Sequence, residues 1–134
     1  MIIQAEVSQE NFDLSRLLQR FEQKETHQTG SIVIHRGKVK SPGKKVANLS
    51  SVLLKERLEG DAPRELYKIG ERAGEKFHYL QQVYISHRLG NARPGDDILL
   101  VIVSAADRVS AFSAAHWIVD EIKKEEIITL KEIG

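Results

Sequence analysis

The sequence predicts an α+β domain whose strands are connected mostly in antiparallel fashion, and three patterns predict it. Residues 98–103 are apolar on both faces, as in a central strand covered from both sides. Residues 79–87 alternate instead, with Val83, Ile85 and His87 on one side and Gln82, Tyr84 and Ser86 on the other, the mark of a strand. Apolar residues also recur at helical spacing, as Leu66, Ile69, Gly70, Ala73 and Phe77 and again as Ala111, Phe112, Ala115, Ile118, Val119 and Ile122. Each set forms one buried stripe. The 134 residues contain no internal repeat, low-complexity tract or interdomain linker. A single domain over 1–134 is expected, large enough to bury a core without cross-links.

In chain order, residues 2–7 alternate as a short strand. Asp13 is placed to cap a helix running to about Gln23, with Leu14, Leu17, Leu18 and Phe21 on one face. The polar residues 24–29 form a loop. A β run follows over 31–39, with Gly37 a candidate bulge. Ser41-Pro42-Gly43 turns the chain, and 46–54 is expected to return as a second strand. Asp61 opens the next helix, and the strand at 79–87 leads through a loop at 90–96 to the central strand. Asp107 caps a long helix to about Lys124, and 127–133 is expected to form a closing strand.

Charge is balanced in total and uneven in detail. Charged residues make up 29% and the net charge is +1, so nothing global points to nucleic acid or membrane. Between Thr26 and Lys55 there is no acidic residue, while Arg36, Lys38, Lys40, Lys44 and Lys45 are basic. That stretch is either a solvated loop or an anion site. The absence of cysteine removes disulfides, thiol nucleophiles and Cys-based zinc sites together. Residues 1–7 lack the basic and apolar stretches of a signal peptide, and no window is long enough for a membrane span. A soluble, cytoplasmic protein is expected.

Several chemistries lack their motifs. Gly37 and Gly43-Lys44 stand with five residues between the glycines and Lys45 after the lysine, whereas a phosphate loop needs four and then Ser or Thr. The five histidines, His27, His35, His78, His87 and His116, make no H-x-x-x-H or H-E-x-x-H pair, so no metal site is expected. His87 reads as a hydrogen-bonded core histidine. On the last helix, Arg108 points along the apolar stripe at its start, where backbone N–H groups already attract anions. Lys123 lies on the edge of that stripe and Lys124 points to the opposite pole. Trp117 falls near the exposed pole, a possible partner surface.

One ordered set of motifs narrows the reading. Ser86-His87-Arg88-Leu89-Gly90, then Pro94-Gly95-Asp96, the apolar strand, Asp107-Arg108-Val109-Ser110-Ala111-Phe112 and a lysine-bearing C-terminal segment resemble the large, catalytic subunit of molybdopterin synthase. Upstream, residues 30–40, Gly-Ser-Ile-Val-Ile-His-Arg-Gly-Lys-Val-Lys, resemble that family's Gly-Ala-x-x-x-Phe-x-Gly-x-Val-Arg strand without a gap. The resemblance covers most of the chain from Gly30 onward.

It implies an α/β hammerhead-like fold and a homodimer within a heterotetramer. A ubiquitin-like small subunit would insert its C-terminal Gly-Gly thiocarboxylate into each large subunit. Sulfur would pass to cyclic pyranopterin monophosphate (precursor Z), building the dithiolene of molybdopterin for the molybdenum cofactor. No cofactor of the chain's own is implied. By motif position, Lys38 and Lys40 would contact the substrate, and Asp107 and Arg108 would occupy the family's His-Arg anion pair. Lys123 and Lys131 would be the acid/base lysines, with Lys124 the competitor for the first role, and Glu132, next to the second, would join the substrate-binding residues. A phosphate-bearing substrate needs basic groups to hold it, and its ring opening needs proton transfers suited to a tuned lysine.

Departures from the family pattern cluster at these positions. His35 stands for Phe, Lys40 for Arg and Asp107 for His, and Ile128-Thr129-Leu130 replace the residues before the second lysine, where the family has Pro and Trp. Val52 and Leu54 stand where Glu and Tyr are usual. Two alternatives to the enzyme therefore remain at this point. One is a non-catalytic paralogue that keeps the fold and partner surface; the other is a small polyanion- or RNA-binding domain using the basic stretch 36–45. Few aromatics lie near that stretch, which disfavours base stacking.

Overall fold

A computed structural model describes residues 1–134. Its elements follow in the order β1 (Ile2–Ser8), α1 (Leu14–Glu22), β2 (Ser31–Lys38), β3 (Ser51–Glu56), α2 (Ala62–Lys76), β4 (Leu80–Arg88), β5 (Gly90–Ala92), β6 (Asp97–Ala105), α3 (Arg108–Lys124) and β7 (Ile128–Ile133). The main sheet has strand order β1-β4-β6-β2, and a smaller one has order β5-β3-β7. Only the β1–β4 pair is parallel; the others are antiparallel.

The doubly apolar run becomes the middle of β6, and both of its faces are covered. Leu99, Val101 and Val103 join Val83 and Ile85 of β4 beneath α2 and α3. Leu100 and Ile102 point the other way and meet Tyr84, Phe12 and Phe21 under α1. Each fully buried branched side chain in these layers contributes about 1.5–3 kcal/mol relative to exposure. A third cluster, Val39, Leu49, Val52, Leu54 and Ala92, seals the small sheet. Ile98 and Ile128 pack against both this cluster and the main core, so the two sheets share one continuous interior.

Local chemistry sets the boundaries. Asp13 accepts from the Arg16 backbone N–H and starts α1, as a capping aspartate does. Asp61 precedes α2 but makes no side-chain cap bond; the Glu56 carboxylate accepts from the Ala62 backbone N–H at 2.8 Å instead. Register shifts between Gly37 and Lys38 on β2, at the bulge the glycine suggested. His87 is buried and its Nδ1 donates to the Arg88 carbonyl at 2.9 Å, while burial holds its pKa below the ordinary histidine value.

Four sequence expectations are corrected. The strand expected over 46–54 spans Ser51–Glu56, and it pairs with β5 and β7, not with β2. The loop at 90–96 contains β5, whose Ala92 lies opposite Val52. Phe112 is 64% exposed and falls outside the buried stripe, which Ala114 joins. Trp117 is half-buried, not exposed: its ring meets Phe77 edge-on at 6.2 Å, and Arg72 lies 5.6 Å from its centre. No helix is long and apolar enough to cross a membrane.

Candidate functional site

The candidate residues are positioned by the way α3 returns over the main sheet. It begins just after β6 ends and packs on β6 and β2, so its last turn lies over the end of β2 and the start of β6. His35 and Lys123 both lie there, near enough for the lysine charge to act on the imidazole. Burial foremost, and then the charge of Lys123, pushes the His35 pKa below the ordinary histidine value. Lys123 itself is exposed in the last turn of α3. Lys38 is exposed at the end of β2, with Nζ donating to the Gly95 carbonyl at 3.2 Å and standing 3.4 Å from Asp97 Oδ1. Lys40 follows buried Val39 and faces solvent. Lys38, Lys40 and Lys123 all lie at this end of the sheet. Lys38 Nζ, however, sits with Arg36 and Asp97 on the face that α1 covers, whereas His35 and Lys123 share the face that α3 covers.

The Pro94-Gly95 turn belongs to the same end. Gly95 has φ +95°, a left-handed conformation that glycine adopts without strain. Its N–H donates to the Val39 carbonyl at 2.8 Å, and the Val39 N–H donates to the Asp96 carbonyl at 2.9 Å. The turn thus carries the chain into β6 and fixes the residue between Lys38 and Lys40.

Lys131 and Glu132 lie on β7. Lys131 is exposed and stands opposite Leu53 of β3, whereas its neighbour Glu132 stands opposite buried Val52. Strand alternation places Lys131 on the outer face of the small sheet. The Glu132 carboxylate is already occupied: it accepts backbone N–H groups from Lys44 at 2.8 Å, Lys45 at 2.7 Å and Val46 at 2.9 Å. Those bonds, the one from Lys45 foremost, hold its pKa below the usual glutamate value.

Asp107 and Arg108 occupy the opposite end of α3. The Asp107 carboxylate caps the helix, taking the Ser110 backbone N–H at 2.8 Å and the Ser110 hydroxyl at 3.0 Å. It stands in the position of the family's histidine, yet its contacts are those of a cap. Arg108 is exposed at the first helical position. Lys123 lies fifteen positions further along the helix, which at about 1.5 Å per residue is roughly 22 Å along the axis. One chain therefore brings Lys38, Lys40, His35 and Lys123 to one end and leaves Arg108 at the other.

Sequence reasoning missed Asp97. This carboxylate is 1% exposed and accepts from Arg36 Nε at 2.8 Å, Arg36 Nη2 at 2.9 Å and the Phe12 N–H at 2.8 Å. Its signal was an acid placed directly before an apolar strand. No group of three or more His, Asp or Glu side chains converges as a metal site would require.

Comparison with known proteins gives this geometry a family. A profile described as "MoaE protein" matches residues 7–125. The molybdopterin synthase catalytic subunit of Pyrococcus abyssi is 37% identical over 107 residues, which cover 78% of this chain and 69% of that relative. The solved molybdopterin synthase structure from Staphylococcus aureus superposes with a TM-score of 0.81 at 25% identity, over 95% of this chain and 88% of that one. A structure described as the complex of subunits 1 and 2 of the Helicobacter pylori molybdopterin-converting factor shares the fold at a TM-score of 0.75 and 16% identity, over 96% and 83%. Profile, sequence identity and fold agree, and the chain belongs to the MoaE family.

Proposed function

We infer that this MoaE-family chain acts in molybdenum cofactor biosynthesis as the catalytic subunit of molybdopterin synthase, a sulfurtransferase. Family membership supports the activity. The observation that supports the assignment to a particular surface is the packing of α3 on β2, which brings Lys123 in its last turn near His35. Lys123 is the candidate proton-transfer group, with Lys131 the second lysine. Lys38 and Lys40 supply charge for the phosphate of precursor Z. His35, in place of the family's Phe, keeps a flat ring while adding a hydrogen-bonding edge.

The sulfur donor in this reading is a ubiquitin-like small subunit whose Gly-Gly tail ends in a thiocarboxylate. The H. pylori protein is described as a complex of two subunits, which supports a partner of this kind. Arg108 lies roughly 22 Å from Lys123 on the same helix, too far for both to hold one pterin. A homodimer in which one chain's Arg108 approaches its partner's Lys123 satisfies both assignments. A cytoplasmic location fits a cysteine-free chain.

Reconstitution tests the reading: purified chain, thiocarboxylated small subunit and precursor Z, assayed for the dithiolene. Product is expected, and Lys123→Ala should lower the rate by about 100-fold or more, the scale of general acid–base catalysis. Lys123 is exposed, so the variant's melting temperature should not change. A full rate in Lys123→Ala would move the role to Lys124. Small-subunit binding without product would identify a non-catalytic paralogue.

A further inference from the structure

Residues 40–50 form an irregular segment carrying Lys40, Lys44 and Lys45 with no acidic residue of its own. Like charges in an exposed loop repel, and such a loop stays ordered only if something outside it supplies contacts. Val39 and Leu49 are buried at its two ends. Between them the polar anchor is Glu132. Both of its oxygens are used, Oε2 by the Lys44 N–H and Oε1 by the Lys45 and Val46 N–H groups. Successive backbone N–H groups of this kind make an anion-binding nest, here filled by the protein's own carboxylate. The fit is close: a Cβ at Gly43 would lie 2.6 Å from Oε2. The neighbouring Ile133 carbonyl accepts the Ser50 N–H at 2.9 Å, so β7 fastens both parts of the segment.

We propose that Glu132 is a positioning residue that never touches the substrate: it clamps the basic loop to β7, and so holds Lys40 and its neighbours where they receive the precursor's phosphate. The assignment rests on the catalytic reading above. A carboxylate saturated by three donors has little left to offer a ligand, and its negative charge opposes a phosphate. Its effect on the reaction therefore runs through the loop and falls on substrate affinity.

The test uses full-length Glu132→Ala, Glu132→Gln and Gly43→Ala, and the double variant Glu132→Ala/Gly43→Ala. Gly43→Ala attacks the same clamp from the loop side. Three readouts are taken: amide hydrogen exchange at Lys44, Lys45 and Val46, the Kd for precursor Z, and the single-turnover rate at saturating precursor. In Glu132→Ala, exchange should accelerate about tenfold or more and Kd should rise about tenfold, the loss of roughly one charge-assisted hydrogen bond. The saturated rate should stay near wild type. Glu132→Gln, which keeps one acceptor oxygen, should recover part of both, and the double variant should be little worse than either single one. Unchanged exchange would overturn the clamp. Faster exchange at unchanged Kd, or a fallen rate at unchanged Kd, would overturn the positioning role. A wild-type chain with protected amides that neither binds precursor nor makes product would overturn the catalytic reading and, by that separate signature, the proposal resting on it.

Discussion

Asp97 shows how much one residue can organise. Its carboxylate receives the Arg36 guanidinium through two bonds and the Phe12 N–H through a third, while its own N–H donates to Asn11 Oδ1 at 2.9 Å. The loop between β1 and α1 is thereby tied to the start of β6. Arg88 is buried in the same region and adds bonds to Asn11 Oδ1 at 2.9 Å and the Asn91 carbonyl at 3.0 Å. The His87-Arg88 motif that made the family legible is thus a packing and hydrogen-bonding device. The Arg36 bonds are the main reason that Asp97 is held down to about 2 from an ordinary 3.8. A depressed carboxylate pKa stabilises the fold above its unfolded value and loses that contribution as pH falls through the folded one. Asp97→Asn should therefore cost about 2–3 kcal/mol at neutral pH. It should also flatten the loss of stability that the wild type shows between about pH 4 and pH 2. Urea titrations at pH 7, 4 and 2.5 would show both; a parallel decline in the two proteins would mean that other carboxylates govern acid unfolding.

Elements were legible where one helix or strand decides its own pattern and obscure where tertiary pairing decides. The spacing Leu66, Ile69, Gly70, Ala73 marked α2, and all four are buried. The stretch 46–54 was read as one strand, and Leu49, Val52 and Leu54 within it are buried. Yet residues 46–50 lie in the segment fastened to β7, and only Ser51–Glu56 is a strand. Its partners, β7 and β5, are distant in sequence or too short to announce themselves. Phe112 failed for a different reason. It lies on the flank of α3 opposite Trp117 and Glu121, which face α2, and no element stands beyond edge strand β2 to cover it. At the site, Lys123 was a candidate by its place in the family pattern, and the helical wheel only preferred it to Lys124. The cap at Asp107 was legible as an acid just before the helical stripe. The occupation of Glu132 was not, because its partners are backbone N–H groups of a distant segment that composition does not reveal. The cap itself is testable: Asp107→Ala should cost about 1 kcal/mol in chemical denaturation, and Asp107→Asn only a fraction of that. Equal losses would mean that the charge at the helix start matters more than the hydrogen bonds to Ser110.

At the scale of the whole molecule, α3 acts as a spacer between two charged ends. Its first turn presents Arg108 beside the beginning of β2, and its last turn presents Lys123 over the end of that strand. A rigid helix does not fold back on itself, and no motion of a single packed chain closes roughly 22 Å. If both residues serve one reaction, two chains must supply them, with each dimer holding two such sites. Mixing separates this arrangement from one in which each chain works alone. Arg108→Ala and Lys123→Ala homodimers would each carry two damaged sites. A heterodimer would carry one site missing both groups and one wholly intact. After exchange of subunits at equal amounts, half of the dimers are mixed and half of their sites are whole, so activity should recover to roughly a quarter of wild type. Recovery must require subunit exchange, which a crosslinked-dimer control establishes. Sites contained within one chain would give no recovery above the two parents, and Arg108 would then lie outside the reaction at Lys123.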